Sequence, residues 1–294
     1  MIIQKTIRII NLFLFMLAVS VYPAFSSNTL THGNRSVQTT PRRIISLSPV
    51  LTEGLYLLGL EETVVGVTIY CQEPSPSRKK EKIGTIMEPD IEKIVSLKPD
   101  LVLAMSLTSI NVIKKLKDLG INIVVLEIPK NFEELCHIFL QLGKEVGKED
   151  KALKLIMESK RRVSHIKNKT KTLPKRKVLI QIGAKPFFVA TKDYFINDYI
   201  EFAGGINVFK DAPSGSVGRE EAIQRNPDVI IITTMGLSEE NEWKIWKRFT
   251  SIRAVKENNI HFIDPDRLCS PTPVSFVESL EKIVHILHPK REKE

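Results

Sequence analysis

One unit occurs twice in this sequence, once in each half, and its repetition restricts the fold more than any other feature. The copies lie in EPDIEKIVSLKPDLVLA (88–104) and GREEAIQRNPDVIIIT (218–233). In each, a glutamate, Glu92 or Glu220, stands seven residues before a proline, which an aspartate and an aliphatic run follow. The spacing before the proline predicts a short amphipathic helix, which stops there because proline lacks the amide proton needed to continue it. The aliphatic run predicts a buried strand, so the chain contains a duplicated helix–strand unit.

Strand and helix patterns alternate through both halves of the chain. Short aliphatic runs predict strands at 42–48, 63–69, 100–105, 121–127, 176–183, 227–233 and 259–264. Helical periodicity falls between them and again at 275–287. The alternation predicts an α/β fold of two Rossmann-like lobes with mostly parallel sheets. We place the N-terminal lobe at 41–127 and the C-terminal lobe at 176–290.

A connector at 128–175 joins the two predicted lobes. Its segment 149–170 contains neither glycine nor proline and carries apolar residues on one face. A helix of 22 residues would be about 33 Å long, which is enough to join two lobes lying side by side. Such a single long backbone helix is stiff, so we expect small tilting of the lobes rather than wide hinge closure.

The N-terminus has the pattern of a secretory signal. Lys5 and Arg8 precede the apolar stretch NLFLFMLAVSV, and small residues suited to cleavage follow near 24–26. We predict a signal peptide at 1–26 and a polar leader at 27–40, and hence an exported, periplasmic protein. No cysteine lies near the cleavage site, so a lipid-anchored cysteine is not supported, and whether the signal is cleaved or kept as an anchor stays open.

Composition narrows the class of protein. The chain has 43% hydrophobic and 26% charged residues, which is typical of a soluble globular protein. Its formal charge of +9 is dispersed without interleaved aromatic residues, so nucleic acid is not expected as a partner. Cys71, Cys136 and Cys269 allow at most one internal disulfide. Cys136 lies on an apolar stripe, and whether Cys71 and Cys269 are free, paired or in contact with a ligand stays open.

Loops at the carboxyl ends of the predicted strands would line a crevice between the lobes. They carry large apolar residues, which need covering by a ligand or by packing beneath the loop. The candidates for ligand contact in these loops are Tyr70, Ile86, Met87, Phe187 and Phe188. Arg267 is a further candidate, because it could reach a polar edge or a carboxylate of the ligand; as an alternative it is a solvated rim residue.

A metal site and a catalytic site are not supported by the sequence. The six histidines fall in the leader, on predicted helices or inside a strand, and form no convincing ligand set, so we predict no bound metal. No phosphate-binding G-x-x-x-x-G-K-[ST] loop and no G-x-S-x-G elbow occur. Ser48 has no nearby histidine to act as a base, and we interpret Glu53 as a surface or capping residue. We therefore predict that the protein is not an enzyme, with a secreted α/β enzyme as the alternative of another class.

Three segments carry a resemblance to a known family: RRIISLSPVLTEGLYLLGL, IGTIMEPDIEKIVSLKPDLVLA and VGREEAIQRNPDVIII. From about 41 to 290 the chain resembles the periplasmic substrate-binding proteins for vitamin B12, siderophores and haem, which have a backbone helix and serve ABC importers. The sequences of VGVTIYC and of the segment around Glu92 resemble the cobalamin-binding branch more closely than the haem or siderophore branches. The cleft tryptophans of that branch are missing, since Ile86–Met87 and PSGS (213–216) stand in the matching loops.

The resemblance implies a function and roles for particular residues. It implies an exported monomeric receptor, without a cofactor of its own, that carries a corrinoid to a dimeric inner-membrane permease. A ferric siderophore or haem is the alternative ligand. By motif position, Glu92 and Glu220 would dock onto arginines of the permease, while Tyr70 and Phe188 would face the corrinoid.

Overall fold

The computed structural model describes residues 40–233 and 239–289. The predicted signal peptide and all but the last residue of the predicted leader lie outside these ranges. Within them, no helix combines the length and the hydropathy that a membrane span requires.

The described residues form strands and helices that alternate, as predicted. The strands are β1 (Ile44–Ser46), β2 (Val64–Val67), β3 (Glu81–Lys82), β4 (Leu101–Met105), β5 (Ile123–Leu126), β6 (Lys177–Ala184), β7 (Phe187–Val189), β8 (Ile206–Asn207), β9 (Val229–Ile232) and β10 (Ile260–Phe262). The helices are α1 (Pro49–Leu57), α2 (Ile91–Ser96), α3 (Ile110–Asp118), α4 (Phe132–Glu145), α5 (Glu149–Thr170), α6 (Ile196–Phe202), α7 (Arg219–Arg225), α8 (Glu239–Lys247), α9 (Arg253–Lys256), α10 (Pro265–Cys269) and α11 (Pro273–Leu287).

Each lobe is built around one sheet. The N-terminal sheet has the order β3-β2-β1-β4-β5, and all of its pairs are parallel. The C-terminal sheet has the order β10-β9-β6-β7, with β8 also pairing with β6, and only the β6–β7 pair is antiparallel. The prediction of two α/β lobes with mostly parallel sheets is confirmed. The placement of Phe187 and Phe188 in a loop was wrong, because both lie in β7, which forms a hairpin with β6.

The duplicated unit has the same geometry in both lobes. Its helix ends in a left-handed residue before the proline, Lys98 with φ 48° and Asn226 with φ 46°. The following aspartate binds the amino end of the neighbouring strand. Asp100 accepts hydrogen bonds from the amides of residues 42 and 43 at 2.7 and 2.9 Å, and Asp228 accepts one from the amide of Lys177 at 2.8 Å. The Pro-Asp pair thus ends the helix and fixes the start of the central strand.

A shared core holds the lobes and the connector together. Helix α5 spans the predicted residues and buries Ala152, Ile156 and Val163 against α4 and α11. This core runs without interruption from Ile44 in β1 to Leu287 in α11. Each sheet turns its other face to a smaller cluster of its own, which is aliphatic in the N-terminal lobe and contains Trp246 in the C-terminal lobe. The boundaries 41–127, 128–175 and 176–290 stay predictions.

Candidate ligand-binding crevice

An apolar crevice lies between the two lobes. It encloses about 580 Å³, part of which is open to solvent. Residues from both lobes and from the connector line it: Ser48, Val50, Ile86, Met105, Leu107, Ile128, Pro129, Leu135, Ile138, Phe195, Cys269, Ser270 and Pro271. This lining contains no charged side chain, so the wall favours an apolar ligand surface.

The topology of the N-terminal sheet explains why these residues meet. Ser48 follows β1, Met105 ends β4 and Ile128 follows β5, so all three lie at the carboxyl edge of the sheet. Parallel strands end at one edge, and this edge is where ligands bind in open α/β sheets. The crevice therefore lies where the fold places ligand-binding loops.

Exposed apolar side chains form a rim at the same edge. Tyr70 after β2 is 49% exposed, Met87 after β3 is 57% exposed, and Leu107 after β4 is 54% exposed. Ile69 beside Tyr70 and Ile110 at the start of α3 are exposed as well. So many large apolar groups at one edge of a sheet indicate a surface that is covered during function.

The predicted ligand residues are divided between this rim, the crevice wall and the C-terminal lobe. Tyr70 and Met87 are exposed, and it is Ile86, the neighbour of Met87, that lines the crevice. Phe188 lies in β7 and is half-buried, with its ring 5.6 Å from that of Tyr194 in an edge-to-face arrangement. Their roles in binding stay predictions.

The two neighbouring phenylalanines of β7 have different surroundings. The Phe187 ring lies 4.6 Å from the Arg219 guanidinium and 6.0 Å from the Trp246 ring. Phe187 therefore packs on the core of its own lobe, and the sequence could not separate it from Phe188. Trp246 is fully buried, as expected for a packing residue.

Arg267 lies on α10, in a pocket beside the crevice. Its Nη1 is 3.3 Å from a carboxylate oxygen of Glu278 on α11, and the pocket also contains Glu53, Tyr56 and Glu73. A ligand carboxylate would have to compete with Glu278 for this guanidinium. Its predicted contact with the ligand remains untested.

The two predicted docking glutamates occupy matching positions. Glu92 is the second residue of α2 and Glu220 the second residue of α7, and both side chains are exposed. Each helix runs back from the carboxyl edge of its sheet toward the next strand, so both glutamates lie at the edge that carries the crevice. Their helices begin differently: the Asp90 carboxylate accepts a hydrogen bond from the amide of Lys93 in α2, whereas α7 follows Gly218 without a side-chain cap.

The cysteines are unpaired in the structure. Cys71 is buried, with its Sγ 3.1 Å from the Thr52 hydroxyl, and burial raises its pKa. Burial also raises the pKa of Cys136 to about 12 and that of Cys269 to about 11. Cys269 thus lines the crevice as a protonated thiol. Among the described residues, no group of three or more His, Cys, Asp and Glu side chains is arranged to hold a metal ion.

Most of the crevice wall was missed by sequence reasoning. Leu107, Ile128 and Phe195 lie in loops or just before a helix, and nothing in their local spacing separates them from packing residues. Their position immediately after a strand, at the carboxyl edge of a parallel sheet, was the signal that could have selected Leu107 and Ile128.

Comparisons with known proteins agree with this geometry. The chain is 34% identical over 269 residues to an uncharacterized ABC transporter substrate-binding lipoprotein of Bacillus subtilis, covering 88% of this chain and 84% of that protein. It is 26% identical to a vitamin B12-binding protein of Vibrio parahaemolyticus, covering 94% and 98%. A crystal structure of a possible iron-binding, periplasmic solute-binding protein from Staphylococcus epidermidis superposes with a TM-score of 0.74 at 33% identity, covering 85% of this chain and 99% of that one.

These proteins bind ligands, which confirms the prediction of a binding protein rather than an enzyme. A model of the periplasmic binding protein family matches residues 44–267, which include both sheets and the connector. The chain therefore belongs to the periplasmic binding protein family.

Proposed function

We propose that this protein is an exported receptor of an ABC importer, which binds a corrinoid in the crevice and delivers it to a permease in the inner membrane. The observation that carries the proposal is the uncharged crevice between the lobes, with its exposed apolar rim. The likeness to a vitamin B12-binding protein along most of both chains supports the choice of ligand.

The wall chemistry favours a corrinoid. A macrocycle offers a broad, partly apolar face, for which aromatic and aliphatic contacts are suited. An anionic ferric siderophore would bury charge against a wall whose described residues include no basic side chain, which is costly. Haem needs an axial ligand from the protein, whereas the cobalt of cobalamin carries its own lower base. The described residues of the wall include no histidine or tyrosine, and Cys269 is a protonated thiol, so Met105 is the one described wall side chain suited to the role of axial ligand.

An iron chelate is the second candidate. It is favoured by the similarity to a protein described as possibly iron-binding, and by the exposed Tyr70 phenol at the rim, since a phenolate can ligate ferric haem. In either case Tyr70, Met87 and Phe188 would cover the part of the ligand that projects from the wall, because the crevice is smaller than a whole corrinoid.

A panel of ligands tests the proposal. Purified mature protein is titrated with cyanocobalamin, haemin and several ferric siderophores, and binding is followed by calorimetry and visible absorbance. We expect saturable binding of cyanocobalamin at one site and weaker or no binding of the other ligands. Tighter binding of haemin or of a siderophore would show that this compound, rather than a corrinoid, is the ligand. Binding of none of them would contradict the proposal.

The docking of the receptor would use Glu92 and Glu220. Both are exposed at the edge of the lobes that carries the crevice, where carboxylates can meet arginines of a permease dimer. Such charges guide association more than they hold ligand, so charge reversal should separate delivery from binding. The receptor itself is proposed to be a monomer.

A double charge reversal tests the docking role. We expect Glu92→Arg with Glu220→Arg to abolish ligand uptake by cells that depend on this receptor, while ligand affinity stays unchanged. Glu61→Arg with Glu62→Arg is the matched control, because these exposed carboxylates precede β2 at the opposite edge of the sheet. A loss of ligand affinity in the docking variant, or equal loss of uptake in the control, would contradict the role.

Export is proposed from the N-terminal pattern. The mature protein would begin after about residue 26, and loss of Lys5 and Arg8 would lower its formal charge from +9 to about +7. Mass spectrometry of the protein recovered from the cell envelope tests this. A chain that retains residues 1–26 would support a signal kept as an anchor.

A further inference from the structure

Two half-buried carboxylates, Glu53 and Asp198, each accept hydrogen bonds from a helix in another part of the fold. Glu53 extends from α1 in the N-terminal lobe to the start of α11 in the C-terminal lobe. Its oxygens accept hydrogen bonds from the hydroxyls of Thr272 at 3.3 Å and Ser275 at 3.1 Å, 219 and 222 residues away in the sequence. These same hydroxyls cap α11, so the Glu53 charge lies against the amino end of a 15-residue helix.

Asp198 also accepts a hydrogen bond from the start of a helix, but here the carboxylate belongs to the C-terminal lobe and the helix precedes that lobe in the chain. Asp198 lies on α6 in the C-terminal lobe, and its Oδ2 accepts the amide proton of Phe132 at 2.7 Å. Phe132 is the first residue of α4. Helix α4 is itself fixed to the N-terminal lobe, because Gly54 of α1 approaches it so closely that a Cβ there would lie 2.6 Å from Leu142. Asp198 therefore joins the C-terminal lobe to a helix that also packs on α1 of the N-terminal lobe.

Among the residues that the structure describes, neither carboxylate has a basic side chain in direct contact. Arg267 influences Glu53 electrostatically, but its guanidinium is bonded to Glu278. Burial raises the pKa of both Glu53 and Asp198, while the hydrogen bonds described above oppose the shift. Burial thus disfavours the charges themselves, and it is the directional hydrogen bonds to the two helix ends that connect the two parts of the fold.

Both bonds lie directly behind the crevice. Glu53 and Thr272 each lie within three residues of a wall residue, Val50 and Pro271 respectively. Asp198 and Phe132 are each three residues from one, Phe195 and Leu135. The wall therefore includes residues of α1 and α4 and residues that stand just before α6 and α11.

We propose that Glu53 and Asp198 are positioning residues that set the width of the crevice. Apolar contacts alone allow packed surfaces to slide, whereas directional bonds at both sides of the crevice fix one spacing. The consequence for ligand affinity depends on the proposed function, but the consequence for lobe spacing does not.

Distance measurements on the ligand-free protein test the proposal. Spin labels are placed by Lys114→Cys on α3 and Lys256→Cys on α9, with Cys269→Ser to prevent labelling of the crevice, and distances are measured by double electron–electron resonance. We expect one narrow distribution in the parent, a broader one in Glu53→Gln or Asp198→Asn, and the broadest in the double variant. Weakening the hydrogen bonds of either carboxylate should change the ratio of fixed to displaced lobes by roughly 5–30-fold.

A matched control distinguishes positioning from a general loss of charge. Glu278→Gln removes a carboxylate from the same pocket, but its partner Arg267 belongs to the same lobe, so the distribution should stay narrow. Circular dichroism confirms that each variant is folded, and the shape-conserving Gln and Asn substitutions are chosen to keep it so. Unchanged distances in the folded double variant would overturn the proposal.

Ligand titrations separate this proposal from the proposed function. Broader distance distributions in the variants of a protein that binds no member of the ligand panel would contradict the proposed ligand and support the positioning role. Normal ligand binding with unchanged distances in the double variant would contradict the positioning role alone.

Discussion

The two lobes have the same strand order, but they differ in the side chains that cover the face of each sheet turned away from the shared core. The strand order β2-β1-β4-β5 of the N-terminal lobe corresponds to β8-β6-β9-β10 of the C-terminal lobe, and both lobes have the same Pro-Asp unit. In the N-terminal lobe the outer cluster is aliphatic, with Ile45, Ile83 and Ile94 at its centre. In the C-terminal lobe the corresponding face holds Trp246 and a buried ion pair.

The ion pair organises the start of α7. The Arg219 Nη2 lies 2.9 Å from the Glu242 carboxylate, which also accepts a hydrogen bond from Gln181 at 2.7 Å. Gln181 in turn accepts one from the Trp246 indole at 2.7 Å. Since Arg219 directly precedes Glu220, this network fixes the end of α7 that the proposed docking uses. The difference teaches that the repeated unit determines where α2 and α7 end, while each lobe has its own means of fixing where its helix begins.

The largest expected effect comes from breaking the ion pair. Glu242→Gln leaves the Arg219 charge buried without its partner, which should lower the free energy of unfolding by about 3–5 kcal/mol. Urea denaturation followed by circular dichroism measures this. Adding Arg219→Met removes the unpaired charge, so the double variant should recover most of the loss; a double variant as unstable as the single one would show that packing, not charge, dominates.

The shared unit should give equal effects in the two lobes. Asp100→Ala and Asp228→Ala each remove the acceptor that fixes the start of a central strand, and each should cost about 1–2 kcal/mol in the same denaturation assay. Hydrogen exchange should show increased opening at β1 in the first variant and at β6 in the second. Strongly unequal losses would break the equivalence of the two units.

The left-handed residues before the prolines should respond differently. Lys98→Gly relieves a conformation that a lysine adopts at a cost, so we expect a gain in stability of about 0.5–1 kcal/mol. Asn226→Gly should instead lose about 0.5 kcal/mol, because asparagine tolerates this conformation and its side chain accepts the amide proton of Arg253 at 2.8 Å. Equal changes in the two variants, measured by thermal unfolding, would contradict this distinction.

A smaller effect is expected from the pH dependence of the buried carboxylates. Burial raises the pKa of Glu53 above 4.5, although the hydroxyl bonds and Arg267 oppose the shift and Glu278 reinforces it. Its contribution to stability is complete below the unfolded pKa and is lost as the pH rises through the higher folded pKa. Glu53→Gln should therefore flatten the fall in the free energy of unfolding just above pH 4.5, and an unchanged profile would show that Glu53 titrates normally.

Local signals in the sequence predicted the order and the bounds of the main helices and strands well. The absence of glycine and proline from 149–170 gave the bounds of α5, and the repeated Pro-Asp pairs located the ends of α2 and α7. The hairpin at Phe187–Val189 was missed because three residues after a proline carry too little periodicity to identify a strand. The roles of Glu53 and of the Arg219 network could not be inferred, since their partners lie far away in the sequence and only packing brings them together.

The most direct test of the ligand crevice compares two leucines of equal exposure. Leu107 lines the crevice and is 54% exposed, whereas Leu119 at the end of α3 is 53% exposed and lies outside the wall. Each is replaced by aspartate, and cyanocobalamin is titrated by visible absorbance. We predict that Leu107→Asp weakens binding by at least about tenfold, because it places a charge against the apolar wall, while Leu119→Asp leaves binding unchanged. Equal affinities in the two variants would contradict binding of the ligand in the crevice.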